Sequence, residues 1–219
     1  MLFKTAATLL AFAGLAAAQT TPELTHGVAK INMNNVTATF TFDKVAGGVN
    51  VTVNVASGLT EALAINKTSG FEYHVHVSPV GPGNNCTSTG AHLDPLKIGT
   101  ATPCDKSNFA LCQEGDLAGK HGNLIPDSSS QVGALSLIQY TDAQLTFTGD
   151  GAITGRSIVI HNNGTRIACA DLVVDGYVAP APTPLGTGSS TSTTKPNSAA
   201  KLVGSVALTG FVALMMMTL

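Results

Sequence analysis

FEYHVHVS, residues 71–78, alternates between two chemistries one side chain at a time. As a β-strand it sends Phe71, Tyr73, Val75 and Val77 to one face and Glu72, His74 and His76 to the other. The first is a core face. The second carries two imidazoles whose Cα atoms a strand sets about 6.5 Å apart, within reach of a single metal ion.

The same period runs through the middle of the 219-residue chain. VTATFTF (36–42) and VNVTVNV (49–55) alternate strictly, and DKVAGG between them reads as the turn of a hairpin. GALSLIQY (133–140), AQLTFTG (143–149), RSIVIH (156–161) and RIACADLVV (166–174) continue the pattern, with TGDG and HNNG as turn signals. The folded region contains no long amphipathic helical pattern. Short strands at this spacing predict an all-β fold, an antiparallel sandwich or barrel. Residues 78–126 are too long for an ordinary connection and hold three of the four cysteines, so this irregular stretch is expected to carry function.

Both ends have a different composition. Residues 1–18 have one early cation, Lys4, then an apolar run ending in small residues, as in a secretory signal peptide cut before Gln19. Residues 178–197, rich in Pro, Ser, Thr and Gly, predict an extended O-glycosylated stalk. Residues 198–219 are small, then apolar. They predict a glycolipid (GPI) attachment signal that is removed, with Asn197 as attachment residue and a position nearer Gly188 as the alternative. The expected mature protein is a secreted, cell-surface glycoprotein, held to the outer membrane leaflet or cell wall, with one folded domain at 19–177.

Without Lys4 and Lys201, 11 basic residues become nine against 13 acidic, a formal charge of −4. With no basic run and no tryptophan, nucleic acid is excluded as a partner. Asn35, Asn50, Asn66, Asn85 and Asn163 each open an Asn-x-Ser/Thr sequon and are candidate glycan sites.

Cys86, Cys104, Cys112 and Cys169 form an even set in an exported chain, which predicts two disulfides. Three pairings are open. One of them joins the neighbours Cys104 and Cys112 and leaves Cys86 to tie the long loop to the last strand at Cys169. No Cys-x-x-Cys pair is present to favour a metal site instead.

Of six histidines, His26 is expected to be exposed and His121, in GKHGNL, to serve a turn. His74, His76, His92 and His161 remain. Four neutral imidazoles without thiolate or thioether suit Cu(II) in tetragonal nitrogen coordination better than tetrahedral zinc. A lone His-x-His on a polar strand face is more often a surface feature than a site.

Taken in order, HVH, CTSTGAHLDP, EGDLAGKHGNL, GRSIVIH and RIAC resemble the copper/zinc superoxide dismutase family, from about residue 40 to 174. The resemblance implies an eight-stranded Greek-key β-barrel. It implies that His74, His76, His92 and His161 bind one copper ion and that Cys86 pairs with Cys169. It also implies that Arg166 guides superoxide to the metal. The implied reaction converts two superoxide ions and two protons to oxygen and hydrogen peroxide.

The departures from the family are informative. Of the family's zinc ligands, His92 and Asp116 hold two positions. The intervening LDPLKIGTATPCDKSNFALCQEG has no histidine, and Gln113 stands where one is expected. Zinc is therefore not expected. Only NNGT separates His161 from Arg166, where the family has a long charged loop, so a shallow, open site is expected. Both losses, with the anchor signal, resemble the fungal extracellular copper-only members.

Without zinc something else must orient His92, and the carboxylate of Asp116 is the expected acceptor of its ring N–H. The roles of Glu114 and His121 are open, and Arg156 is expected to be structural. A monomer is expected, acting in defence against superoxide or in making peroxide for signalling. A copper store would keep the histidines without needing Arg166. A structural wall module would need neither. A monooxygenase with an N-terminal histidine brace is excluded by a mature end at Gln19.

Overall fold

The computed structural model describes residues 22–180. The expected signal peptide, most of the stalk, Asn197 and the attachment signal lie outside them.

Among the described residues, eight antiparallel strands form two sheets. Strands β1 (His26–Met33), β2 (Val36–Val45), β3 (Gly48–Ser57), β5 (Ile138–Asp142) and β8 (Val173–Val174) make one, in the order β5-β3-β2-β1-β8. Strands β4 (Glu72–His76), β6 (Ser157–Asn162) and β7 (Thr165–Asp171) make the other, in the order β4-β6-β7. Among the described residues no backbone ladder joins the two sheets, so closure into a barrel is not seen; the Tyr73 hydroxyl of β4 donates to that of Tyr140 in β5 at 3.0 Å across the space between them. The only α-helix among the described residues is one short turn, α1 (Leu117–His121).

The alternating residues place the core as expected. Phe40 and Phe42 of β2, Val51 and Val53 of β3, Tyr73 and Val75 of β4 and Ile158 and Ile160 of β6 are all buried in one cluster between the sheets. The rings of Phe40 and Tyr73 meet across it at 5.7 Å. Each such side chain contributes roughly 1.5–3 kcal/mol by leaving water.

Three strand readings are corrected. Strand β1 is absent from the sequence reading because Gly27, Ala29, Lys30 and Asn32 dilute its apolar alternation. Its pairing with β2 through an Asn34-Asn35 turn, both residues at positive φ, holds it in place. Residues 133–137 precede β5 and run irregularly beside β3, with Leu135 N–H donating to Val55 O at 3.0 Å. Residues 143–149 form no strand, only a single bridge between Thr146 and Ala152.

Residues 78–126 contain no strand. Two 3-10 turns, Cys86–Thr89 and Phe109–Leu111, and α1 are their regular structure. Two disulfides hold them, Cys86–Cys169 to β7 and Cys104–Cys112 within the loop.

At the end of β5, Asp142 is fully buried. Burial raises its carboxyl, but hydrogen bonding from His121 and the charge of Lys120 outweigh burial and bring it down to about 2. A carboxyl lowered in the folded state stabilises it above the unfolded value, and that contribution is lost as pH falls. Stability is therefore expected to drop between about pH 4 and pH 2, with a shallower slope in Asp142→Asn, followed by chemical unfolding across that range.

Candidate metal centre

Strand pairing brings the first three imidazoles together. In β4 against β6, Glu72 lies opposite His161, and His74 and His76 lie opposite Val159 and Ser157. The loop that follows β4 doubles back beside it. Val77 N–H donates to Ala91 O at 3.0 Å, Leu93 N–H to Val75 O at 2.8 Å, and His92 bridges to His76. The 113–116 turn then docks on both, through Val75 N–H to Gly115 O at 2.9 Å and Gly115 N–H to Leu93 O at 2.8 Å. Residue 115 has to be glycine, because a Cβ there would lie 2.4 Å from Val75 O. The histidine face of β4 is thus buried as well: His76 is fully buried and His74 only 8% exposed.

The register of β6 with β7 shifts at Ile160/His161, and His161 comes to face Arg166. Such bulges re-aim side chains. The connecting turn is Asn163-Gly164, both at positive φ, a two-residue hairpin with no room for a longer loop.

Each imidazole has one nitrogen bound to the protein. His76 Nδ1–H donates to Gly90 O at 2.9 Å, and His161 Nδ1–H donates to Gly164 O at 3.2 Å. His92 Nδ1–H donates to Gln113 Oε1 at 2.8 Å, and His74 Nε2 lies 3.4 Å from Asp116 Oδ1. The other four nitrogens turn inward. His74 Nδ1 is buried without any partner. His76 Nε2 and His161 Nε2 are 3.1 Å apart, and the four residues offer ligand atoms all within 4.8 Å of one another. Four inward lone pairs, one of them orphaned, fit a metal ion.

Electrostatics favours the same state. Burial lowers His76 to about 3 and His161 to about 4, and it lowers His92 as well. Mutual repulsion among the rings and the charge of Arg166 add to this. Neutral imidazoles are the ligating form.

Arg166 is held by three carbonyls. Nη1 donates to Cys86 O at 3.0 Å and Thr87 O at 2.9 Å, and Nη2 donates to Gly90 O at 2.5 Å. The Gly90 carbonyl therefore ties the guanidinium to His76. Arg166 lines a broad groove with His74, His92 and His161, whose rim also carries Glu72 and Lys106.

The expected partner of His92 is corrected. Gln113, not Asp116, takes its N–H. Gln113 Nε2 donates to Asp94 Oδ2 at 3.0 Å, and since a carboxylate only accepts, this contact turns the amide oxygen toward the ring. Asp116 is engaged elsewhere, capping α1 through Gly119 N–H at 2.7 Å and facing His74. Nothing in the sequence except the missing histidine at 113 marks this exchange.

The remaining residues lie apart from the centre. His26 is paired with Asp43 at 2.7 Å rather than simply exposed. His121 bonds the Asp142 carboxylate at 2.8 Å and stacks on Tyr140, rather than serving turn backbone. Arg156 is structural, donating to Ala152 O and Val77 O. Asn35, Asn66, Asn85 and Asn163 are exposed and Asn50 is partly so.

The family model described as copper/zinc superoxide dismutase (SODC) matches residues 36–173. The cell surface Cu-only superoxide dismutase 5 of Candida albicans is 34% identical over 157 residues, covering 70% of this chain and 61% of its own. The cell surface Cu-only superoxide dismutase of Arthroderma benhamiae is 38% identical over 134 residues, covering 57% and 34%. The chain thus spans about a third to three-fifths of these curated relatives. The structure of C. albicans superoxide dismutase 5 with Cu(II) superimposes at a TM-score of 0.56 and 31% identity, over 74% of this chain and 99% of that one.

Proposed function

The chain belongs to the copper/zinc superoxide dismutase family, and from that premise we propose that it is a cell-surface superoxide dismutase using copper without zinc. The observation that carries this reading is the set of four inward imidazole nitrogens beside an arginine fixed by three carbonyls. His74 through Nδ1, and His76, His92 and His161 through Nε2, would hold one copper ion. Bound copper supplies the one-electron couple by which one superoxide is oxidised to oxygen and another reduced to hydrogen peroxide with two protons.

The protein's own residues do the rest. The carbonyls of Gly90 and Gly164 and the side chains of Gln113 and Asp116 set each ring's tautomer and direction. Arg166 presents a fixed positive charge in the groove to a small anion, in a chain that is otherwise acidic. A copper store needs the rings but not that guanidinium.

Three features support the absence of zinc. His92 Nδ1 is already bonded to Gln113, Asp116 is engaged with His74 and Gly119, and the small cavity behind His92 offers no second histidine. The surface location rests on the relatives' names. Anchoring through residues 178–219 and glycans on the five sequons extend that reading.

The test is metal content and superoxide dismutation of the secreted protein after loading with copper alone and with copper plus zinc. One copper, no retained zinc and equal activity in both samples is the expected result. Zinc at one equivalent and required for activity would overturn the copper-only reading. Arg166→Gln is expected to lower kcat/KM about tenfold and to flatten its decline with salt, by steady-state kinetics across ionic strength. An unchanged salt slope would remove Arg166 from guidance.

A further inference from the structure

Beneath the 113–116 turn lies a buried polar cluster of Lys120, His121 and Asp142. The side chains of Lys120 and Asp142 are both fully shielded from solvent. Lys120 Nζ lies 2.6 Å from Asp142 Oδ2 and donates to the carbonyl of Glu114 at 2.8 Å. The same Oδ2 takes His121 Nε2 at 2.8 Å. Asp142 Oδ1 takes the backbone N–H groups of Gln144 at 2.9 Å and Leu145 at 3.1 Å.

We infer that Lys120 is a positioning residue: its buried ammonium braces the Glu114 peptide against the end of β5, and so aims the His92 and His74 rings. The path is short. The Glu114 peptide is flanked by Gln113, whose amide oxygen holds His92 Nδ1, and leads in two residues to Asp116, which faces His74 Nε2. A shift of that peptide moves both acceptors together.

The five residues of α1 are too few to hold this turn by themselves. Among the described residues, no strand passes through the loop to hold it from the other side. A compact ammonium with three donors can join a carboxylate on one sheet to a carbonyl in the loop. Stability alone is a weak reason for such a pair, because well-packed apolar residues often serve a buried position equally well. The geometry instead suits precision in where the turn sits.

The inference rests on the copper reading for the role of the two rings. The test uses the full secreted chain. In the metal-free wild type, amide hydrogen exchange of residues 113–121 is expected to be nearly as slow as that of β4 and β6. Exchange there orders of magnitude faster would show that the brace does not hold the turn, and needs no variant to show it.

The second arm compares Lys120→Met with Lys120→Met/Asp142→Asn, the latter leaving no unpaired buried charge. The expected result is a folded double variant with unchanged exchange in the sheets and about tenfold faster exchange at 113–121. Its Cu(II) electron paramagnetic resonance signal shifts from that of the wild type, and kcat/KM falls. A folded double variant with wild-type exchange and a wild-type Cu(II) signal would reduce Lys120 to a structural role. If wild type binds copper but fails to dismute superoxide, the functional reading falls while the exchange data still judge the brace.

Discussion

His76→Ala is expected to lower copper affinity by more than about a hundredfold and to bring dismutation to the rate of free buffer. Loss of an outer hydrogen-bond partner alone costs a metal site about 10–100-fold, and the loss of a donor nitrogen exceeds that. His76 is the least exposed of the four histidines. It is fully buried, its Nε2 faces His161 Nε2 at 3.1 Å, and its strand position bridges to His92. Its Nδ1–H also shares the Gly90 carbonyl with Arg166, so its removal loosens the guanidinium as well. Copper retained after dialysis against a chelator, measured with superoxide decay, reads both effects. His26→Ala, a change at a half-exposed ring paired with Asp43, serves as the control and is expected to keep one copper and the full rate. A His76→Ala protein that still held one equivalent and turned over normally would sink the four-histidine assignment.

Removing the Cys86–Cys169 disulfide is expected to cost about 4.5 kcal/mol of stability, against about 2.5 kcal/mol for Cys104–Cys112, on the loop-entropy relation. The difference follows from the lengths of chain each closes, with sequence separations of 83 and 8. The longer bridge has a second consequence. The Cys86 and Thr87 carbonyls that hold Arg166 belong to the turn that this disulfide ties to β7. Cys86→Ala/Cys169→Ala is therefore expected to lose catalytic efficiency even under conditions where it remains folded. Urea unfolding of the two double variants, paired with kcat/KM, checks both points. Equal losses from the two pairs would contradict the entropic argument, and full activity in the folded Cys86/Cys169 variant would separate Arg166 from the disulfide.

Much of the sandwich was legible in the chain because alternation is a local property. Strict period-2 runs at 36–42, 49–55 and 71–77 can bury one face only as strands, and there the reading and the structure agree. The four histidines were legible too, by residue type and by their place among motifs that resemble a known family. Strand β1 was not, because Gly27 and Ala29 are buried by what packs on them and not by their own hydrophobicity. Residues 143–149 alternate as a strand would, but they find no partner beyond one bridge.

What the sequence determined by itself is the chemistry available: period-2 strands, an even cysteine set, four imidazoles without soft ligands, and an arginine two residues past the hairpin turn. Only the tertiary structure decided who meets whom. The disulfide pairing, the choice of Gln113 over Asp116 for His92, the inward nitrogen on each ring and the burial of Lys120 against Asp142 all depend on contacts between distant segments. A hydrogen bond works within a few tenths of an ångström and a narrow cone. Residue identity sets which groups can bond, but only the folded positions of the loop and the sheets bring one acceptor, and not its neighbour three residues away, to the ring.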